Sequence, residues 1–558
     1  MNEGAVNKRI WWIAGIYVLI NALQSFLTPL INDEAYYWVW SQNLDWGYFD
    51  HPPMVAFWAN LGFKLFQNEL GARLVAILFG GLGFVLLGKL LEIKTYKQLQ
   101  LYCFLFFSMV LFQVFGFINT PDAPLLFFGI LYFYLLKKFL NDQSNLHAML
   151  LGIAMALLIY SKYHGILIII FSLLPHTFRL IKSKYFYIAV FTGILCYAPH
   201  IWWQFDNEFI SLEYHLVKRN VRNVFKWNYP GDYLLSLVWA SSPLLFFHHI
   251  KALVKSRYTT QFQKSLLWTI VGIIGFFILI TFKRYIQAQW SLVAFIPLLI
   301  VSYQYYKNKP KAFKTIKVLS MMTLVIICMA RIYFMIQDVP YPTQYHGWKD
   351  FMIKAGDKTK GIAVFEKYQY ASLFNFYNYP KKKARTYVTL ENRTSQYNLW
   401  HSEDDLEGKE ITYFSRYMEA KDSVVILDRD KLVPYYLEHI PVYHSAANIK
   451  MEVSNVEKVN DSLRMQVKFI NTGDFTVDLS KENHFKLVHV SPKEPFSNEI
   501  FCFDEIPYKS MVLEPGLSNV LTITIPQCED SPEDFMGYFG IVNHNLSPKK
   551  QSNYIDIE

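Results

Sequence analysis

Apolar and polar positions divide this chain into two parts with different periods. From Ile10 to about Ile336 the sequence is a series of apolar runs, each about 20 residues long, the length a helix needs to cross a bilayer. The first run covers Ile10 to about Leu30. Others fall near 70–90, 100–118, 122–140, 146–162, 164–180, 185–204, 230–250, 264–282, 288–306 and 314–336, which predicts roughly eleven spans. No small-residue cleavage site follows the first run, so it reads as a retained span and not as a signal peptide. After Asp338-Val-Pro-Tyr-Pro the pattern becomes that of a water-soluble protein. Ile362–Phe365 and Val424–Leu427 read as short buried strands with a helix at Tyr370–Tyr377 between them, so 340–445 is expected to be a small α/β unit. Beyond Ile449, Leu463–Phe469, Phe485–Val490 and Val520–Ile525 alternate as strands between turn signals such as Asn471-Thr-Gly and Glu514-Pro-Gly, which predicts a β-sandwich over 446–558.

Charge adds an orientation. The net charge is +9, but the excess sits in short loops, a pattern of membrane topology and not of a nucleic-acid surface. Lys8/Arg9, Lys89/Lys94/Lys97, Lys137/Lys138, Arg179/Lys182/Lys184, Lys251/Lys255/Arg257 and Lys307/Lys309/Lys311/Lys314 fall in alternate loops. The positive-inside rule puts these loops and the amino terminus in the cytoplasm, and the 31–69 loop and the whole tail outside. Residues 204–229 are an exception, external yet carrying Lys218, Arg219, Arg222 and Lys226. An anionic lipid phosphate would account for them; so would Asp206, Glu208 and Glu213 on a solvated loop. Cys103, Cys196 and Cys328 lie in apolar runs and read as buried small hydrophobes. Cys502 and Cys528, in the tail, could pair as a disulfide outside the cytoplasm or remain thiols.

Composition sharpens the picture at one stretch. The chain is 53% hydrophobic and 18% aromatic, with a mean hydropathy of +0.16. Ile31 to Met54, INDEAYYWVWSQNLDWGYFDHPPM, instead concentrates Asp33, Glu34, Asp45, Asp50 and His51 among Tyr36, Tyr37, Trp38, Trp40, Trp46 and Tyr48. Ionisable groups at a membrane face are costly unless paired or hydrated, which makes them functional candidates. Asn32 or Asp33 could instead cap a helix with Glu34 in its first turn. Three more groups fall on the same expected outer face: Asp122 in Asn119-Thr-Pro-Asp-Ala-Pro, Lys162 and Tyr163 in Ser161-Lys-Tyr-His, and Lys283-Arg284-Tyr285 with Gln287 and Gln289. The first two have structural alternatives. Thr120 could cap a helix with Pro121 in its first turn, Lys162 could snorkel, and Glu69 with Arg73 is expected to form an ion pair. No zinc spacing and no phosphate-cradling glycine loop is present, so neither metal nor cofactor is expected.

Acids, cations and aromatic rings on one membrane face suit a sugar carried on a polyprenyl phosphate. The tail lies in the bilayer and the phosphate at its surface. Phosphate is a good leaving group, so one carboxylate base and a phosphate clamp suffice. A hydrolase would need two carboxylates flanking the bond. A flippase would place its charges at mid-membrane on broken helices.

Asp33-Glu34-Ala-Tyr-Tyr-Trp, Trp46-Gly-Tyr-Phe-Asp-His-Pro-Pro53, Thr120-Pro-Asp-Ala-Pro124 and Ser161-Lys-Tyr163 resemble the bacterial branch of the protein O-mannosyltransferase superfamily. That branch includes the aminoarabinose transferases of lipid A and the galacturonic acid transferases of lipopolysaccharide core. Weaker echoes are Pro199-His-Ile-Trp-Trp203, Gln289-Trp290 with Pro297, Tyr368-Gln-Tyr-Ala371 and Ser395-Gln-Tyr397. The resemblance covers about residues 10–410. It implies a polytopic C-type glycosyltransferase fold (residues 1–339), a polyprenyl-phosphate sugar donor, inversion at the anomeric carbon and a membrane lipid, lipopolysaccharide or other glycan as acceptor. A protein O-glycosyltransferase is the neighbouring alternative. Asp33 matches the family's catalytic acid, Glu34 its usual neighbour and Asp122 a second acid near the acceptor. The donor phosphate would meet His51, Lys162, Arg219, Arg222, Lys283 and Arg284. Sugar and acceptor would meet Tyr36, Tyr37, Tyr48, Asp50 and Tyr163. His51 stands where aminoarabinose transferases carry a lysine, and Tyr36 where an arginine stands in the mannosyl and aminoarabinose branches, so the donor sugar stays open.

Overall fold

In the computed structural model, residues 3–552 are described, apart from 217–224, 388, 390–392, 417–421, 429–430, 460–461, 481, 493–499, 527–536, 545 and 547–548. The chain divides into two compact units, Met1–His346 and Gly347–Glu558.

The first unit is helical throughout. In chain order its helices are α1 (Glu3–Leu27), α2 (Asn32–Ser41), α3 (Met54–Phe63), α4 (Glu69–Leu90), α5 (Tyr96–Ser108), α6 (Val110–Val114), α7 (Asp122–Asn141), α8 (Asn145–Ser161), α9 (Gly165–Leu173), α10 (Thr177–Leu180), α11 (Lys184–Asp206), α12 (Ile210–Leu216), α13 (Asn228–Ser241), α14 (Phe246–Lys255), α15 (Gln261–Thr281), α16 (Leu292–Tyr306) and α17 (Pro310–Met335). Six of them (α1, α4, α7, α11, α15 and α17) are long and apolar enough to cross a membrane, and α13 with α14 makes a seventh if that bent pair is one span. This is a polytopic α-helical membrane protein. Its outward faces are apolar, with Trp11, Trp12, Leu19, Leu23, Phe191, Leu195 and Met329 all exposed. Helices satisfy their own backbone groups and so can present such faces to lipid.

Every apolar run read from the sequence is helical, but the count of eleven spans is not reproduced. The 100–118 run breaks into α5 and α6, the 164–180 run is interrupted after α9, and α8 and α3 are shorter apolar helices. The 230–250 run bends by 96° between α13 and α14, at Ser242-Pro243, because proline cannot continue the helical hydrogen bonds. The 31–69 stretch, expected as a loop, carries two ten-residue helices, α2 and α3. Cys196 and Cys328, expected to be buried, are exposed on outward faces.

Two helices that flank the site pack closely through small residues. A Cβ on Gly152 of α8 would lie 2.3 Å from the Ala189 carbonyl of α11, so only glycine allows this approach. The contact fixes the α8 end bearing Ser161 against the α11 end bearing His200.

The second unit is rich in sheet. Helices α18 (Trp348–Lys358) and α19 (Tyr368–Tyr377) accompany a five-stranded sheet of β1 (Ile362–Phe365), β2 (Ala384–Thr386), β3 (Ile411–Ser415), β4 (Ser423–Asp428) and β5 (Lys431–Ile440). Its order is β2-β1-β3-β5-β4, parallel among the first three and antiparallel beyond. The rest comprises β6 (Ile449–Val459), β7 (Ser462–Asn471), β8 (Val477–Leu479), β9 (Phe485–Pro492), β10 (Ile500–Ile506), β11 (Met511–Leu513), β12 (Ser518–Pro526), β13 (Tyr538–Asn543) and β14 (Lys549–Lys550). These form sheets ordered β12-β7-β6, β10-β9-β13-β14 and β11-β8. Inward residues of all three, among them Val467, Leu487, Leu479 and Ile541, share one core, as alternation along each strand requires. Lys549 of β14 is buried against Glu403, which also accepts from the Tyr443 hydroxyl at 2.8 Å. The side chain of Cys502 and all of Cys528 lie outside the described residues.

Candidate active site

Asp33 and Glu34 are neighbours with opposite surroundings. A tight turn through Thr28-Pro29 ends α1 and starts α2, leaving Asp33 exposed in its first turn. Glu34 points inward. Its carboxylate receives the Arg73 guanidinium at 2.5 and 2.8 Å and the Asn119 backbone N–H at 2.9 Å. Arg73 also donates to the Ser25, Thr28 and Pro29 carbonyls at 3.2, 2.7 and 2.9 Å. The sequence reading gave Arg73 to Glu69; the structure gives it to Glu34. The α2 cap position is Ile31, not Asn32 or Asp33, and its N–H donates to Glu34 Oε2 at 3.3 Å. Glu34 therefore ties α1, α2, α4 and the Asn119 turn together, while Asp33 stays at the surface.

Asp122 and Lys162, read as separate candidates, meet. Both are buried, and Lys162 Nζ donates to the two Asp122 oxygens at 2.8 and 2.9 Å. The α7 cap position falls on Pro121, without a side-chain cap, so Thr120 does not play the role expected of it. Asp122 instead begins the helix, where its charge suits the dipole.

The 43–51 loop is built from its own aromatic groups. Tyr48 stacks on Trp40 with ring centroids 4.5 Å apart, and its hydroxyl donates to the Asn43 carbonyl at 3.0 Å. Tyr36 donates to Asp50 at 3.0 Å. Tyr36, Tyr48 and Asp50 are thus buried supports of the loop. Tyr37 lies one helical turn beyond Asp33 on the same side of α2, and its ring stands 6.1 Å from His51. His51 in turn faces His215 of α12 at 5.9 Å.

The sequence reading largely missed what holds this loop from outside. His200 Nδ1 is 2.6 Å from the Trp46 carbonyl, the Trp203 indole donates to Asp45 at 2.8 Å, and His215 Nε2 is 2.7 Å from the Asp50 carbonyl. Tyr163 joins the same cluster through Gln204 at 2.7 Å and Ser211 at 2.9 Å. Burial pushes the Tyr163 hydroxyl above its ordinary range, so it stays protonated. The Pro199-His-Ile-Trp-Trp203 motif was the one signal for this support. Gly47 is required by it: a Cβ there would lie 2.3 Å from the Trp203 ring.

Beside the loop is an apolar cavity of about 780 Å³, lined by Leu44, Asp45, Trp46, Pro53, Met54, Phe57, Trp58, Leu61, Val75, Phe79, Phe128, Leu157 and Tyr160. Among the described residues that line it, Asp45 is the sole carboxylate, and it sits where the loop meets the cavity. Arg284 lies over the Trp290 ring at 5.3 Å, and Lys283 is exposed after α15. Arg219 and Arg222 lie outside the described residues. Among the described residues, no group of three His, Cys, Asp or Glu could hold a metal ion.

A helical membrane unit with this loop and a sheet-rich carboxy-terminal region has the C-type glycosyltransferase fold. ArnT from Cupriavidus metallidurans superposes with a TM-score of 0.59 at 11% identity, over 77% of this chain and 98% of ArnT. The same protein bound to undecaprenyl phosphate gives 0.58 at 12% identity, over 76% and 97%. At these identities the likeness speaks for the fold. In sequence, residues 50–203 match the family described as dolichyl-phosphate-mannose-protein mannosyltransferase. The lipid A galacturonosyltransferase RgtD of Rhizobium johnstonii is 23% identical over 295 residues, 48% of this chain and 59% of RgtD. The chain thus spans about three fifths of that relative's length. The resemblance read from the loop motifs is borne out: in sequence and fold the chain resembles this glycosyltransferase superfamily.

Proposed function

We propose that this protein is a glycosyltransferase that moves a sugar from a polyprenyl phosphate to an acceptor in the cell envelope, a lipid A or lipopolysaccharide glycan. The observation that carries this reading is the division of labour between Asp33 and Glu34. One acid is neutralised inside the scaffold and the other is exposed in the first turn of α2, the helix that leads into the loop bordering the apolar cavity. The RgtD and ArnT likenesses favour a lipid-linked donor and a lipid acceptor.

In this mechanism the tail of the donor lies in the cavity beside Trp58 and Leu61. The acceptor O–H or N–H gives its proton to the Asp33 carboxylate as its heteroatom attacks the anomeric carbon. The bond from that carbon to the phosphate oxygen breaks, the electron pair leaves with the phosphate, and the configuration inverts. Lys162, His51 and Arg284, with Lys283 and the arginines 219 and 222, supply positive charge toward the departing phosphate. Asp122 acts through Lys162, and Tyr36, Tyr37, Tyr48, Asp50 and Tyr163 shape the loop that meets the sugar. We place the protein in a bacterial inner membrane, its amino terminus in the cytoplasm and its second unit outside. The match to protein mannosyltransferases over 50–203 favours a protein acceptor as the second reading.

The test is comparative glycan mass spectrometry of lipid A, core polysaccharide and envelope proteins from cells with and without this protein, complemented by parent or Asp33→Asn. The expected result is one sugar missing from one acceptor, restored by the parent and not by Asp33→Asn. Full restoration by Asp33→Asn would overturn the mechanism. Build-up of lipid-linked precursor with no missing sugar would replace the transferase with a flippase.

A further inference from the structure

The bent pair α13–α14 has a geometry the transfer reaction does not use. Near its start α13 lies beside the start of α16, where Tyr233 and Ser291 hydroxyls are 2.6 Å apart. After the 96° bend, α14 packs against the far end of α16: His249 bonds Ser302 at 2.7 Å, and Tyr306 donates to the His248 carbonyl at 3.1 Å. That end lies opposite Asp33. Helix α1 runs from it toward Asp33, since Glu3 pairs with Lys94, just past the end of α4, at 3.3 Å. Glu92, beside Lys94, pairs with Lys137 at 2.6 Å and is held below the usual carboxylate range by Lys137, with Lys307 after α16 adding to the effect.

Helix α14 has three faces. His249 and Ala252 are buried against the bundle. Phe247 and Val254 are strongly exposed, at 76% and 70%, and lie within about 20° of each other at 100° per residue. Lys251 and Lys255 occupy the next sector and are exposed. An apolar stripe flanked by lysines, on a short helix set at 96° to the one before it at the end of a membrane bundle, is the pattern of an interfacial helix.

A second element converges on the lysines. Lys309, after α16, lies 3.1 Å from the centre of the Tyr305 ring, and Lys251 and Lys255 are close enough to act on the same tyrosine. Between Asp232 and Asp338 the sequence has no aspartate or glutamate, and the acid the structure puts near this end, Glu92, is paired with Lys137.

We propose that α14 is a membrane-surface helix that binds the headgroup of an anionic phospholipid through Lys251, Lys255 and Lys309, on the face opposite Asp33. The lipid phosphate meets the three ammonium groups, its acyl chains cover Phe247 and Val254, and Tyr305 closes the side of the site. The inference does not rest on the proposed transfer reaction.

Native mass spectrometry of the full chain in detergent tests it, with phosphatidylglycerol and phosphatidylcholine of the same acyl chains as probes. The parent is expected to retain phosphatidylglycerol in preference to phosphatidylcholine. Lys251→Gln/Lys255→Gln/Lys309→Gln should lose that preference, by about fivefold per lysine removed, with its thermal midpoint unchanged because all three side chains are exposed. Lys64→Gln, at the end of α3, should keep it. Equal retention of both lipids by the parent, or an undiminished preference in the triple variant, would overturn the proposal. So would abolition of the preference by excess inorganic phosphate, which would assign the site to a free anion, or by an acidic protein that co-purifies on the three lysines.

Discussion

Glu34 Oε2 lies 2.5 Å from the Arg73 guanidinium with both side chains buried, one residue away from an exposed Asp33. A buried ion left without its partner typically costs about 3–5 kcal/mol. Glu34→Gln should therefore lower the thermal unfolding midpoint sharply in purified protein, whereas Asp33→Asn should leave it at the parent value. Equal midpoints for Glu34→Gln and parent would remove the scaffold role assigned to this pair.

Asp122 and Lys162 call for a different experiment, because each neutralises the other. Lys162→Met alone strands a buried carboxylate and should destabilise the fold. Asp122→Asn/Lys162→Met removes both charges and should recover most of the lost stability. If Lys162 also serves the departing phosphate, the double variant will fold yet turn over about a hundredfold more slowly. A double variant with parental turnover would confine the pair to structure.

Gly47 offers a test of the loop's support. Gly47→Ala places a methyl group into the Trp203 ring, which is held by Asp45 at 2.8 Å and stacks near His200. The ring cannot yield without releasing Asp45, so the loop must move. We expect a loss of turnover of about tenfold or more, since misplacement of about 1 Å near a reacting centre can cost a hundredfold. Stability should change far less, because the loop lies at the rim of the bundle. Kinetics beside thermal unfolding on the same preparation separates the two effects.

In the second unit, burial and the neighbouring His484 and His444 lower the His544 pKa from 6.5 to about 4. The unfolded chain then takes up this proton at a higher pH than the folded one. The stabilising contribution is complete above about pH 6.5 and is lost as pH falls toward 4. His544→Asn should flatten that part of the pH profile of unfolding. Asparagine tolerates the left-handed backbone at this position, where φ is 52°. A parental profile in the variant would assign the acid sensitivity elsewhere.

The positions of the helices were legible because lipid-facing segments carry a strong, long apolar signal. Their continuity was not: the break at Ser242-Pro243 and the split between α5 and α6 lie inside unbroken apolar runs. Tyr370–Tyr377 and Ile362–Phe365 were found because amphipathic period and strand length agreed. At the site, the acids could be named from their place after the first span, but their partners could not. Glu34 meets Arg73 and Asn119 across 39 and 85 residues of chain, a distance over which sequence spacing carries no information. The Glu69–Arg73 reading failed for the same reason: a four-residue spacing permits a pair, and burial decided for another partner. His215 was missed because it stands outside every motif.

The opposite surroundings of Asp33 and Glu34 make the Thr28–Ile31 turn a setting of rotational phase. Each residue inserted or deleted there turns α2 by about 100° relative to α4. A single deletion would carry the inward acid out and leave Arg73 facing Ala35, and a single insertion would draw Asp33 inward to Arg73 and push Glu34 aside. The four residues of the turn therefore cannot change in number without changing which acid faces inward. Among descendants of this sequence, substitutions should accumulate around the turn while its length stays fixed.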